Sequence, residues 1–246
     1  MHDIRYDAVH DEVLVTNPFA QAILVFRGGA NGEEAPIRII QGPHTQLQGA
    51  LASGGADRVD VDPVHDEIFV PAKDRILVYS RTGKGDVPPL RVLQGPDTKL
   101  SKAQAIAVDP VHNIIVAGTD IKYQDDFGAL LTYNRTDNGN VQPRGIILGP
   151  KTGIRSISQL QVYSPKGWIV ATQPGDAYGE VEPKGVFIGV WSVNDSGDVA
   201  PRWKLGGPHS VMKKPRGVAL NPKHKELIVA DMRLNAVLTY YFPEIF

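Results

Sequence analysis

Apolar residues run along this chain in short alternating bursts and never settle into a helical spacing. EVLV (12–15), ILVF (23–26), EIFV (67–70), ILVY (76–79), IIVA (114–117) and LIVA (227–230) are typical, and Gly, Pro, Asn or Asp bounds each one. Val, Ile, Leu and aromatic residues in runs of this length read as β-strands separated by tight turns. No segment keeps apolar residues at i, i+3, i+4 and i+7, so helices are not expected as major elements.

The bursts recur in a fixed order. GEEAPIRIIQGPHT (32–45), GDVPPLRVLQGPDT (85–98), GNVQPRGIILGPKT (139–152) and GDVAPRWKLGGPHS (197–210) align, with first glycines 53, 54 and 58 residues apart. Between them recur YDAVHDEVLV (6–15), VDPVHDEIFV (61–70), VDPVHNIIVA (108–117), YSPKGWIVA (163–171) and LNPKHKELIVA (220–230). The unit is therefore four strands, A to D, repeated at a blade-like period. The expected fold is all-β: one β-propeller domain over 1–246, with repeats of approximately 1–55, 56–102, 103–157, 158–214 and 215–246. That makes about five four-stranded antiparallel blades, the last lacking its outer strand. A portion of a six-bladed propeller is the alternative. The exposed edge of such a last blade is a template for association, so a homo-oligomer through it is an expected partner.

RGVALNPKHKELIVADMRLNAVLTYY (216–241) resembles the NHL and YVTN-type propeller families, and the likeness extends over the chain at the level of the repeat. The resemblance implies the fold. It implies little about activity, because such families include scaffolds, lyases and lactonases.

If strand A runs from top to bottom, the A–B and C–D turns share the bottom face, and the B–C loops and D–A connections share the top. The bottom turns repeat: DPVHDE and its relatives, then RTGKGD, RTDNGN and VNDSGD, whose glycines suit hairpin turns with positive φ. The top loops vary, with long segments at 117–128 and 171–186. Variable loops on a regular scaffold are where binding specificity sits. The ligand-binding candidates are accordingly Asp120, Tyr123, Asp125 and Asp126 in the first, Asp176, Tyr178 and Glu180 in the second, and Asn17, His44, His209 and Asp231 elsewhere on the top face. Several of these carboxylates together would suit Ca²⁺ or Mg²⁺, the only cofactors expected.

Asp60, Asp62, His65, Asp66 and Glu67 look like metal ligands, but His10, His65, His112 and His224 hold one repeat position, which points to a turn-stabilising ring bonded to nearby backbone. An imidazole ring around the lower channel is the competing reading, interrupted by Lys166-Gly167 in the fourth repeat. Aligning Asp7 with Asp62 sets Arg5 against Asp60 and Asp3 against Arg58 on adjacent inner strands, so cross-blade ion pairs along the channel are expected.

Composition narrows the chemistry. There is no cysteine, so thiolate catalysis and thiolate metal sites are excluded. The net charge of −1 offers no field for nucleic acid, and no apolar run is long enough for membrane insertion. Nucleophile-elbow, phosphate-loop and dinucleotide motifs are missing. Resemblance to propeller lactonases implies an inner-strand Glu, Asn, Asp metal set, toward which only Asn17 and Asp231 offer themselves; resemblance to propeller lyases implies a His–Glu pair, His44 or His209 with Glu180. The expected function is thus a non-catalytic binding or scaffold propeller for a protein, small-molecule or glycan ligand, with a metal-assisted lyase or lactonase-like hydrolase as the alternative. The expected setting is a bacterial periplasm or exterior, although no basic-then-apolar leader opens MHDIRYDA.

Overall fold

The computed structural model describes residues 3–47, 57–123, 126–175 and 184–246, and of 120–123, 126 and 127 the backbone alone. It is a five-bladed β-propeller. Blade 1 comprises β1 (Ile4–Asp7), β2 (Glu12–Asn17), β3 (Ala22–Arg27) and β4 (Arg38–Gln41); blade 2 comprises β5 (Asp60–Asp62), β6 (Glu67–Pro71), β7 (Arg75–Ser80) and β8 (Arg91–Gln94). Blade 3 comprises β9 (Ala105–Asp109), β10 (Ile114–Tyr123), β11 (Asp126–Asn134) and β12 (Gly145–Ile147); blade 4 comprises β13 (Leu160–Tyr163), β14 (Trp168–Gln173), β15 (Phe187–Ser192) and β16 (Trp203–Gly206). Blade 5 holds β17 (Pro215–Asn221), β18 (Glu226–Asp231) and β19 (Ala236–Tyr241), three strands among the described residues, as the repeat count requires. Among the described residues no helix is long and apolar enough to cross a membrane.

Strand alternation builds the seams between blades. Leu14, Ile23, Val25 and Ile40 of blade 1 face Val61, Ile68, Val70 and Leu77 of blade 2. Comparable clusters fill the next three seams, and Trp191 and Phe187 are the largest side chains in the one between blades 3 and 4. A second device crosses two of the seams. Glu12 accepts hydrogen bonds from Arg38 of its own blade at 2.8 and 2.6 Å and from Arg81 of blade 2 at 2.9 Å. Glu67 is held in the same way by Arg91 and by Arg135 of blade 3.

The A–B turns explain the acidic and histidine-rich repeat. Asp62 Oδ1 accepts the backbone N–H of Val64 at 2.9 Å and of His65 at 3.1 Å, and its Oδ2 accepts Nδ1 of the His65 ring at 2.7 Å. Asp7 with His10 and Asp109 with His112 repeat the arrangement. The ring therefore bonds the turn's own carboxylate, not backbone. Asp62 is fully buried, so replacing it leaves two backbone donors without their acceptor. Asp62→Ala is expected to cost about 1–3 kcal/mol, read as a lower urea midpoint at unchanged slope. A midpoint equal to that of the wild type would refute the structural role.

Two expectations are corrected. The segment 117–128 is largely strand: β10 and β11 extend to pair Lys122 with Phe127 and Tyr123 with Asp126, across an irregularity after Thr119. The alternation of I-K-Y against D-F was hidden by the acidic residues around it. The C–D loops are not plain hairpin turns either. Those of blades 2, 3 and 4 reach back to the outer strand of the preceding blade, with parallel bridges Ile40–Gly85, Leu93–Gly139 and Ile147–Gly197. Their glycines do adopt positive φ, 75° at Gly85 and 73° at Gly139.

Candidate functional site

The innermost strands begin at one end of the channel with a repeat position occupied by Asp3, Arg58, Ala105, Gln159 and Gly217. Two residues on stand Arg5, Asp60, Ala107, Gln161 and Ala219. Blades 1, 2 and 4 thus place long polar side chains where blades 3 and 5 have alanine or glycine, and the small residues leave room for them. The contacts run between blades. Arg5 Nε donates to Asp60 Oδ1 at 3.1 Å and its Nη2 to the Leu160 carbonyl at 3.1 Å. Gln159 Nε2 donates to Asp3 Oδ1 at 2.9 Å, while its Oε1 accepts the Val218 N–H at 2.6 Å. Arg58 Nε donates to the Ser158 carbonyl at 3.0 Å and Arg216 Nη1 to the Ser158 hydroxyl at 3.1 Å.

These side chains line the polar end of a cavity of about 780 Å³, whose flanks are Ile4 and Val15 of blade 1 and Ala219, Ile228, Ala230 and Val237 of blade 5. Arg5, Arg58 and Arg216 all face it, with Asp3 as the one carboxylate among the described residues of its wall. Asp60 sits behind Arg5. Burial pushes the Asp60 carboxyl up, against the opposing pull of Arg5 and of the Val108 and Val61 amides. Burial pushes the Arg58 guanidinium down; Asp3 and Asp57 oppose this, whereas Arg216 and Arg5 add to it by charge repulsion. Three guanidinium groups thus share this wall with Asp3.

The residues singled out from sequence fall elsewhere or beyond what is described. Asn17 Oδ1 accepts the Ala20 N–H at 3.2 Å and so closes a B–C turn. The exposed His44 bonds Asp86 of blade 2 through Nδ1 at 2.6 Å, and His209 is exposed on the equivalent turn. Asp231 is buried and accepts four backbone N–H groups, from Lys213, Lys214, Arg233 and Leu234. None of these four lines the cavity. Asp125, Asp176, Tyr178 and Glu180 lie outside the described residues, as do the side chains of Asp120, Tyr123 and Asp126. Among the described residues no group of three His, Asp or Glu is placed to hold a metal, and each blade histidine at the lower turns of blades 1 to 3 is tied to its own aspartate.

The expected Arg5–Asp60 pair is present. Asp3 acts on Arg58 electrostatically, but its oxygens bond the Val59 N–H and the Gln159 amide. Gln159, Gln161 and Arg216 were not anticipated. Polar residues at a position that is alanine or glycine in other repeats were the available signal.

No family model matches the chain, and no curated protein matches it. Its structure is similar to the crystal structure of a proposed 6-phosphogluconolactonase from Bacteroides uniformis, with a TM-score of 0.60 and 17% sequence identity. The match covers 98% of this chain and 66% of that protein, so this chain spans a little under two thirds of its neighbour's length.

Proposed function

We propose that the protein is a non-catalytic binding propeller that takes a small, polyhydroxylated anion at the mouth of its central channel. The observation that carries this is the convergence of Arg5, Arg58 and Arg216 on one cavity wall with Gln159 and Gln161 beside them. Guanidinium forks recognise carboxylate or phosphate oxygens in pairs, and amides read hydroxyl groups. The inner strands begin at this end, the face to which the β10–β11 and β14–β15 connections also belong by strand order. Asp120, Tyr123, Asp125, Asp126, Asp176, Tyr178 and Glu180 would then form the rim, and Ca²⁺ or Mg²⁺ there would bridge rim carboxylates to an anionic ligand.

Titration calorimetry with glucose 6-phosphate, gluconate and glucose tests the proposal. The two anions are expected to bind and glucose to bind far less. Arg216→Ala is expected to weaken anion binding on the order of tenfold or more, the worth of one charged hydrogen bond. Equal binding of glucose, or an Arg216→Ala protein with unchanged affinity, would sink it.

A lactonase-like hydrolase is the second reading, supported by the likeness of fold to the Bacteroides protein. At that identity the likeness carries the fold alone. Turnover of glucono-δ-lactone above the spontaneous rate, lost in an Arg58→Ala, Arg216→Ala double variant, would favour it over the binding module.

A further inference from the structure

The outward face of blade 1 is built as a seam face, yet among the described residues much of it is left uncovered. Ile4 is 62% exposed, while Val59, Ile106, Leu160 and Val218 at the same repeat position are exposed by 3% or less. Tyr6 is 57% exposed, against 9% for Val61 and 6% for Val108. Strand register continues the face outward: Ile4 pairs with Val15, Val15 with Leu24 and Leu24 with Ile39. At the interior seams this surface receives the preceding blade.

Those seams show what it receives. The outer strand of each blade ends in Gly-Pro-x-Thr/Ser, and the turn seats on the next blade. There a positive-φ glycine bridges the strand, and the following residue bonds a turn N–H: Asp86 to His44 at 2.7 Å, Asn140 to Asp97 at 2.8 Å, Asp198 to Lys151 at 2.7 Å. The turn's first glycine is obligatory, because a Cβ at Gly42, Gly95 or Gly149 would lie within 2.5 Å of that side chain. An aromatic residue, Tyr79, Tyr133 or Trp191, stands at the equivalent place in the third strand. Blade 1 has the same socket: Phe26, then Gly32 at φ 62°, then Glu33. A cavity of about 290 Å³ lies there, lined by Val13, Phe26, Gly28, Gly32 and Glu34 among others.

We propose that this socket binds the outer strand and Gly-Pro-x-Thr/Ser turn of a further blade of the same repeat. A second copy does not suit. Its turns at Pro43–Thr45, Pro96–Thr98, Pro150–Thr152 and Pro208–Ser210 are seated in its own seams, held by contacts such as Tyr79 to the Thr45 carbonyl and Tyr240 to the Ser210 carbonyl. Ile4 and Val15 of this face also flank the channel cavity, but Val13, Phe26 and Gly32 do not, so binding at the socket is read apart from the ligand reading by the socket variants below.

The test titrates the full chain with a fluorescent peptide of its own blade-2 sequence, residues 89–100 (PLRVLQGPDTKL). The expected result is saturable binding with hydrogen-exchange protection over residues 24–34. Affinity should fall on the order of tenfold or more when the peptide carries Gly95→Val, or when the protein carries Phe26→Asp or the milder Glu33→Ala. Absent binding, equal binding of both peptides, or protection confined to β19 would overturn the proposal. So would concentration-dependent self-association of the chain that Tyr6→Lys abolishes, which assigns the face to a second copy.

Discussion

Trp191→Ala should lower the unfolding free energy by about 3–5 kcal/mol. Trp191 has no exposure and packs against Phe187, their ring centroids 6.5 Å apart, in the cluster that joins blades 3 and 4 through Leu130, Ile147 and Ile154. Its indole N–H donates to the Val199 carbonyl at 3.2 Å, anchoring the C–D loop that crosses the seam. The backbone is fitted to the ring: a Cβ on Gly189 would stand 2.3 Å from it. Alanine therefore leaves a hole that short-range repacking cannot fill, and frees a partly buried carbonyl. Against a total of roughly 5–15 kcal/mol for a domain, the loss is a large share. Equilibrium urea unfolding with circular dichroism reads it, and Trp191→Phe should recover part of it. A change below about 1 kcal/mol would mean that the seam is not where the fold's stability lies.

Glu67→Ala should be the next most damaging change, about 2–3 kcal/mol at neutral pH. Removing one partner of a fully buried ion pair costs more than this. Here the Glu67 side chain keeps about a tenth of its surface exposed, so the loss is smaller. The substitution strands Arg91 and Arg135, which Glu67 holds at 2.7 and 2.6 Å, and unfastens blade 2 from blade 3. Burial pushes the Glu67 carboxyl up, but the hydrogen bonds and charges of Arg91 and Arg135 outweigh it and leave the group below its ordinary value. Glu12 is lowered first by Arg38 and then by Arg81. A carboxyl lowered in the folded state contributes stability above its unfolded value, near 4.3, and loses it as pH falls through the folded value. The gap between wild type and Glu67→Ala should thus be widest above about pH 5 and close in acid. Asp60 carries the opposite sign: raised in the fold, it favours stability below its unfolded value and loses that contribution as pH rises through the folded one. Urea midpoints from pH 3 to 7 check this. A gap that stays constant across the range would show that Glu67 acts by packing alone.

The lower turns were legible because their chemistry is local. DVDPVHDEIFV suggests a metal site on its own, but its repetition as DAVHDEVLV and DPVHNIIVA marks it as a turn, and Asp62 and His65 bond within four residues of each other. The Arg5–Asp60 pair was legible for a related reason, since a repeat alignment sets equivalent strands side by side. The convergence on Ser158 was not. Arg216 reaches it from the next repeat, 58 residues away, but Arg58 does so from 100 residues away across a non-adjacent repeat, and no periodicity along the chain encodes which blades meet over the axis.

The alternation of the sequence by itself determined five blades, their strand order and the three-stranded last sheet, because side-chain direction in a strand follows from a two-residue period and turns follow from Gly, Pro and Asp. Only the tertiary structure decided that the C–D loops of blades 2 to 4 fasten each to the blade before, that blades 1, 2, 4 and 5 set arginine and glutamine along the channel, and that, among the described residues, much of the outward face of blade 1 stands uncovered. Those facts depend on how the blades close around the axis. Closure is set by side-chain volumes and charges meeting across long separations, and the local pattern is the same in every repeat whether or not a neighbour covers it.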